Sequence, residues 1–329
     1  MIISKNQKRL EWVDIAKGIA IILMVIGHEV NNLNIHTLIF SFHMPLFFIL
    51  SGYTSSQIGS WEKFYSKLKK NFVHVYLLAL LMIMLLGVEN LIFLKGFSLM
   101  SFFQSISKGI FWGSNIPTIG VAGVGVMWFL IVFFWAKVLF DLMQIIFSTS
   151  SIGIILIVMS GVSYFFCNNF RNFLPQAFDI VPFAALFMWI GLVAKNIKIK
   201  QIGKRKNYLT ILSLTYWLIC MRLHLFIELV IRHYPLFIVT ILEAAAGTFV
   251  VCLFSKWLVP WAQKLQIVGQ HTLAVLCIHH LDLYWVNWDS YILSFHSWLL
   301  ASIARLVVDV TILGLFLFVQ RWIMARKVK

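Results

Sequence analysis

The chain has 329 residues, 61% of them apolar and only 12% charged, with a mean hydropathy of +0.89. A soluble chain carries about 25% charged residues, so this one lacks the polar cover a water-exposed surface needs; disorder and a disulfide scaffold are excluded as well. The net charge of +15 sits in short clusters between apolar runs, which points to membrane topology and anionic headgroups rather than nucleic acid.

These features predict an all-α, polytopic integral membrane protein. Lys5, Lys8 and Arg9 precede a first apolar run. Asp14 and Lys17 interrupt its start and no small-residue cleavage site follows His28, so a retained helix is expected rather than a signal peptide. About 20 apolar residues are needed per crossing. Ten spans are predicted, near 11–30, 37–57, 72–89, 121–141, 150–167, 176–194, 208–226, 235–254, 267–285 and 297–320. Even parity puts both termini on one side. With both termini cytoplasmic, the inner segments carry 19 of the 27 Lys and Arg residues and the outer segments four, the bias expected of cytoplasmic loops. Segment 90–120 is apolar but broken by Gly, Ser, Asn and Pro, and is expected to lie in the outer interface or to re-enter. Cys167, Cys220, Cys252 and Cys277 are scattered without a CxxC pair, so no metal site is expected from them.

Ionisable groups inside a membrane are costly, and each is a candidate for function. In the first span Lys17 and His28 are eleven residues apart, which is three helical turns plus about 20°, so both face one way across about 16 Å. Asp14, three residues before Lys17, can pair with it. Snorkelling by Lys17 and a structural hydrogen bond from His28 is the plainer alternative. In the second span, Phe42-His43-Met44-Pro45-Leu46-Phe47-Phe48 leads to Ser51-Gly52-Tyr53. His43 enters from the outer side near the depth of His28. Pro45 suits a first helical turn, and Gly52 admits close approach of a backbone or a ligand.

These two segments resemble the membrane acyltransferase-3 family. A basic residue, ten residues, then His fits Lys17 to His28, and Phe-His-x-Pro-x-Phe-Phe-x-x-Ser-Gly-Tyr fits Phe42 to Tyr53. Lys67, Lys69 and Lys70 resemble the family's basic inner loop, although His74 stands where a proline is usual. Trp128-Phe129-Leu130 and Gly269-Gln-His-Thr272 through His279 resemble further family motifs, so the similarity spreads over the chain. The resemblance implies a single transmembrane domain over 1–329 without a soluble extension, in a bacterial cytoplasmic membrane. It also implies acetyl-CoA as acyl donor and a hydroxyl of a cell-surface or secreted polysaccharide, or its lipid-linked precursor, as acceptor. Lys17, Asp14, Lys67, Lys69 and Lys70 are then expected at the donor's phosphates. His28 is expected to be the base or the acyl carrier, with His43 orienting it or donating to the oxyanion. Ser51, Tyr53, Trp128, His279 and Asp282 are expected to line the substrate pocket. No metal is expected, and the partners are the bilayer, the acyl-CoA and the glycan.

Other charges have readings of their own. His279 and Asp282 sit three apart and can form a His–carboxylate pair. Arg305 and Asp309, four apart, read as an internal ion pair. Glu29 reads as a solvated outer end, while Glu243 and Arg222 lack local partners and can line a cavity. The VAGVGV run is no dinucleotide fingerprint, and Walker A, GxSxG and HExxH motifs are absent. A transporter or flippase is the competing class, since ten spans with buried charge suit one; stabilisation by CoA separates the two.

Overall fold

The computed structural model describes residues 9–121, 123–170, 173–197, 205–285 and 297–327, without the side chains of 205, 206, 283–285 and 327. Lys5, Lys8, Arg171, Lys198, Lys200, Lys204 and Lys329 of the predicted charge clusters, and the 286–296 connection, lie outside the described residues.

Every regular element among them is helical. The order is α1 (Glu11–Gly27), α2 (Leu33–Phe40), α3 (His43–Thr54), α4 (Trp61–Asn71), a π-helical turn (Phe72–Tyr76), α5 (Leu77–Phe93), α6 (Leu99–Trp112), α7 (Trp128–Ile146), α8 (Thr149–Phe170), α9 (Val181–Asn196), α10 (Arg205–Arg222), α11 (Ile238–Leu258), α12 (Gln263–Gln270), α13 (Thr272–Trp285) and α14 (Trp298–Lys327). A helix stands at each of the ten predicted places. Among the described residues seven helical stretches are long and apolar enough to cross a membrane: Leu33–Thr54, Trp61–Phe93, Gly125–Ile146, Thr149–Phe170, Pro175–Asn196, Ile238–Leu258 and Trp298–Arg326. α8, α10 and α14 expose rows of large apolar side chains, among them Val158, Phe165, Leu212, Leu315 and Phe318, as helices bordering lipid must.

The predicted second span is two helices. Pro45 lacks an N–H, and its ring would strike the carbonyl four residues back, so the helix breaks at Ser41–Phe42 and restarts at His43. The break is held by side chains: Ser41 Oγ donates to the Leu38 carbonyl (2.8 Å) and accepts from Trp217 Nε1 (2.8 Å). Asn32 caps the first piece, its Oδ1 accepting from the backbone of Asn34 and Ile35.

α3 packs backbone to backbone on α9. A Cβ at Gly52 would overlap the Met188 carbonyl, and one at Gly191 the Ile49 carbonyl. α1 meets α12 in the same way, with Gly269 against the Asp14 carbonyl. These contacts fix the helices that carry the candidate residues. Segment 90–120 contains α6, capped by Ser98 and ended by Gly113 at φ +70°. At 14 residues it falls short of the roughly 20 a crossing needs, and it lies against α5, where Gly87 makes room for Phe102 and Ile106.

Candidate active site

The helical stripe read from α1 faces two adjoining cavities. Lys17, Ile21 and Met24 line the first, of about 330 Å³, together with Ser51, Phe47, Phe129, Phe133 and Thr272. Met24, Gly27 and His28 line the second, of about 300 Å³, together with His43, His36, Trp128 and Glu228. Met24, Met44 and Leu276 belong to both walls. The two cavities thus follow one another along α1, from a lysine, past apolar walls, to a polar end with two histidines.

His28 caps the C-terminus of α1 and is exposed there. His43 opens α3 and is buried. Its Nδ1 lies 2.8 Å from the Ile39 carbonyl. A carbonyl only accepts, so Nδ1 carries the proton and the neutral ring keeps a lone pair on Nε2. His43 thus suits proton acceptance or orientation; donating through Nε2 to an oxyanion would require the charged ring.

Behind His28 lies a buried charged cluster. The ring of His279 is 5.2 Å from that of His28, centroid to centroid, and its Nδ1 is 3.2 Å from Asp309 Oδ2 and 4.0 Å from Asp282 Oδ1. Arg305 donates three hydrogen bonds to Asp282, at 2.7, 3.0 and 3.2 Å, and a further one to Glu29. This corrects two sequence expectations. Arg305 pairs with Asp282 and Glu29 rather than with Asp309 four residues on, and Glu29 is buried rather than solvated. The nearer carboxylate to His279 is Asp309, not Asp282. Since Glu29 adjoins His28 in the chain, Arg305 fixes the end of α1 on which His28 sits. The ligand atoms of His279, Asp282 and Asp309 lie within 4.8 Å of one another, close enough to share a cation; the Arg305 guanidinium already supplies positive charge to that spot.

The remaining predicted residues divide. Ser51 and Trp128 line the two cavities. Tyr53 instead packs edge-on against Trp12 at 5.4 Å and lines a separate apolar cavity with Ile190 and Lys256. His279 and Asp282 have no exposed surface and stand behind the cavity wall. Asp14 pairs with Arg9 (2.6 Å), and among the described residues Lys17 makes no hydrogen bond or salt bridge, which leaves its ammonium for the cavity. Lys69 and Lys70 are exposed on the last turn of α4.

Lys67 is drawn into a cluster that sequence spacing does not reveal. Lys67 Nζ donates to the Ser56 carbonyl (3.0 Å), Lys195 Nζ to the Ser55 carbonyl (2.7 Å) and Lys137 Nζ to Ser55 Oγ (2.8 Å). Lys137 also pairs with Asp141 at 2.9 Å. Three ammonium groups from α4, α7 and α9 thus converge just past the end of α3, beside Thr54 of the first cavity. His74 falls in the π-helical turn, where its Nδ1 donates to the Lys70 carbonyl (2.9 Å).

No curated protein and no solved structure matches the chain. The acyltransferase domain model of the acyltransferase-3 family matches residues 10–319, nearly the whole chain. The lysine-to-histidine path thus belongs to a multi-pass membrane acyltransferase, and the chain is a member of the acyltransferase-3 family.

Proposed function

We propose that this acyltransferase moves an acetyl group from cytoplasmic acetyl-CoA to a hydroxyl of a cell-surface or secreted polysaccharide, or of its lipid-linked precursor, in a bacterial cytoplasmic membrane. The observation that carries this reading is the pair of adjoining cavities along α1, one lined by Lys17 and the next by His28 and His43. The distribution of basic residues supports cytoplasmic termini, an orientation in which Lys17 and the Lys67–Lys137–Lys195 cluster stand at the inner mouth. CoA is polyanionic and is drawn to such a mouth. Its pantetheine arm suits the apolar stretch lined by Phe47, Phe129 and Phe133. The thioester arrives beside His28.

There the acceptor hydroxyl gives its proton to an imidazole while its oxygen attacks the thioester carbonyl. A C–O bond forms, the C–S bond breaks, and the proton leaves with the CoA sulfur. The same geometry serves a two-step route in which His28 first takes the acetyl group. His43 and the His279–Asp309 pair orient the reacting ring.

The test is labelled acetyl-CoA with purified protein in proteoliposomes, following thioester loss and label on protein, lipid or added glycan. Protein-dependent thioester loss with label in an O-ester supports the reading. Folded protein that neither binds CoA nor consumes thioester contradicts it and favours the transporter class.

A further inference from the structure

Glu228 lines the same cavity as His28 and His43, and the chemistry above gives it no part. It lies between α10 and α11, outside the predicted spans. Its carboxylate accepts no hydrogen bond from a described residue; the nearest charged partner is His36 Nε2 at 3.9 Å. Burial raises its pKa to about 7.

The segment that carries it is firmly built. Glu228 and His233 exchange both backbone hydrogen bonds, each 3.0 Å. Arg232 follows at φ +59°, a left-handed conformation that a non-glycine residue seldom adopts. Its guanidinium holds Asp179 (2.7 Å), Ser114 (3.0 Å) and the Val230 carbonyl (2.7 Å), and it lies over the Phe173 ring at 4.9 Å. So much fixed structure places one carboxylate opposite two histidines without satisfying it.

The chemistry of this end keeps the donor's phosphates away and fits the acceptor. A carboxylate repels the phosphates, while the uncharged thioester can still reach His28. Neutral hydroxyls, by contrast, donate charge-assisted hydrogen bonds to a carboxylate, and two adjacent hydroxyls can engage both oxygens. Trp128 adds an aromatic side chain to the same lining, and His36 a second polar group.

We propose that Glu228, with His36 and Trp128, forms the acceptor subsite and holds neighbouring hydroxyls of a sugar ring, so that a further hydroxyl meets His28. This rests on the acyltransferase reading above. Glu228 is here a positioning residue: it aligns the acceptor and takes no part in bond making.

The test uses the purified full chain with acetyl-CoA and the methyl glycosides of glucose, galactose, mannose and rhamnose as acceptor probes. Glu228→Gln and Glu228→Ala are compared with wild type, at matched thermal stability. Both variants should raise the acceptor KM about tenfold or more, with the acetyl-CoA KM within about twofold of wild type. An unchanged acceptor KM, or an acetyl-CoA KM that rises in step, overturns the assignment. So does wild-type protein that releases CoA yet acetylates none of the glycosides. Wild-type protein that releases no CoA at all removes the acyltransferase reading itself, which separates the two failures.

Discussion

The ring of His279 stands 5.2 Å from that of His28, and its Nδ1 faces Asp309 at 3.2 Å. The two histidines come from α1 and α13, and the carboxylate from α14. This arrangement makes Asp309 an orienting group at one remove from the reacting ring. Asp309→Asn keeps the shape but removes the charge that favours one ring position. Transfer should fall about tenfold to a hundredfold, less than the roughly 10²–10⁴-fold that a group transferring the proton itself contributes, while melting temperature holds. Steady-state kcat on solubilised protein checks this, and an unchanged kcat would make the His279–Asp309 contact merely structural.

Arg305 is the keystone of the same cluster, since Glu29 and Asp282 both depend on it. Removing one partner of a buried ion pair leaves uncompensated charge, at a cost of about 3–5 kcal/mol. Arg305→Met should therefore lower thermal stability sharply as well as activity. A wild-type melting curve for this variant would show that the cluster contributes little to the fold.

The backbone contact at Gly52 makes a steric prediction. Any Cβ there meets the Met188 backbone, and close-packed interiors do not absorb such an overlap. Gly52→Ala should reduce the yield of folded protein, whereas Gly59→Ala, with nothing within 4 Å of a new Cβ, should not. Size-exclusion profiles of the two variants settle the comparison.

Lys17 has no described salt-bridge partner and faces the donor path. Lys17→Ala should raise the KM for acetyl-CoA about tenfold with kcat within about threefold, the signature of lost binding rather than lost chemistry. A fall confined to kcat would place Lys17 in the reaction instead.

Acceptor binding should depend on pH through Glu228. Its pKa near 7 means that the carboxyl is protonated below that value and anionic above it. Hydroxyls donate to the anion more strongly, so the acceptor KM should fall as pH rises through 7. His36 on α2, His233 across the bridge, and His28 and His43 on the facing wall are the other titratable groups around it, so Glu228→Gln serves as the reference. Its KM profile should lose the step near pH 7, and retention of that step would assign it to one of the imidazoles.

What the sequence made legible follows from period. Lys17, Ile21, Met24 and His28 recur at helical spacing, and one helix face cannot avoid lining one path. His43 and Trp128 were visible through their motifs. What stayed hidden depends on contacts between distant parts of the chain. Arg305 finds Glu29 from the far end of the sequence and passes over Asp309, although spacing favours the latter. Lys137 and Lys195 meet only because α7 and α9 bring them to Ser55. Glu228 carries no motif, and its importance lies in the cavity it faces. Tyr53 shared a motif with Ser51, yet two residues along a helix turn a side chain through about 200°, and it faces a different cavity.

Thioester chemistry at His28 underlies the whole mechanism. The most direct test is the rate of CoA release from saturating acetyl-CoA by wild type and His28→Ala, at equal melting temperature and equal CoA binding. A loss of at least about a hundredfold is expected in the variant. CoA release at the wild-type rate from His28→Ala would contradict it.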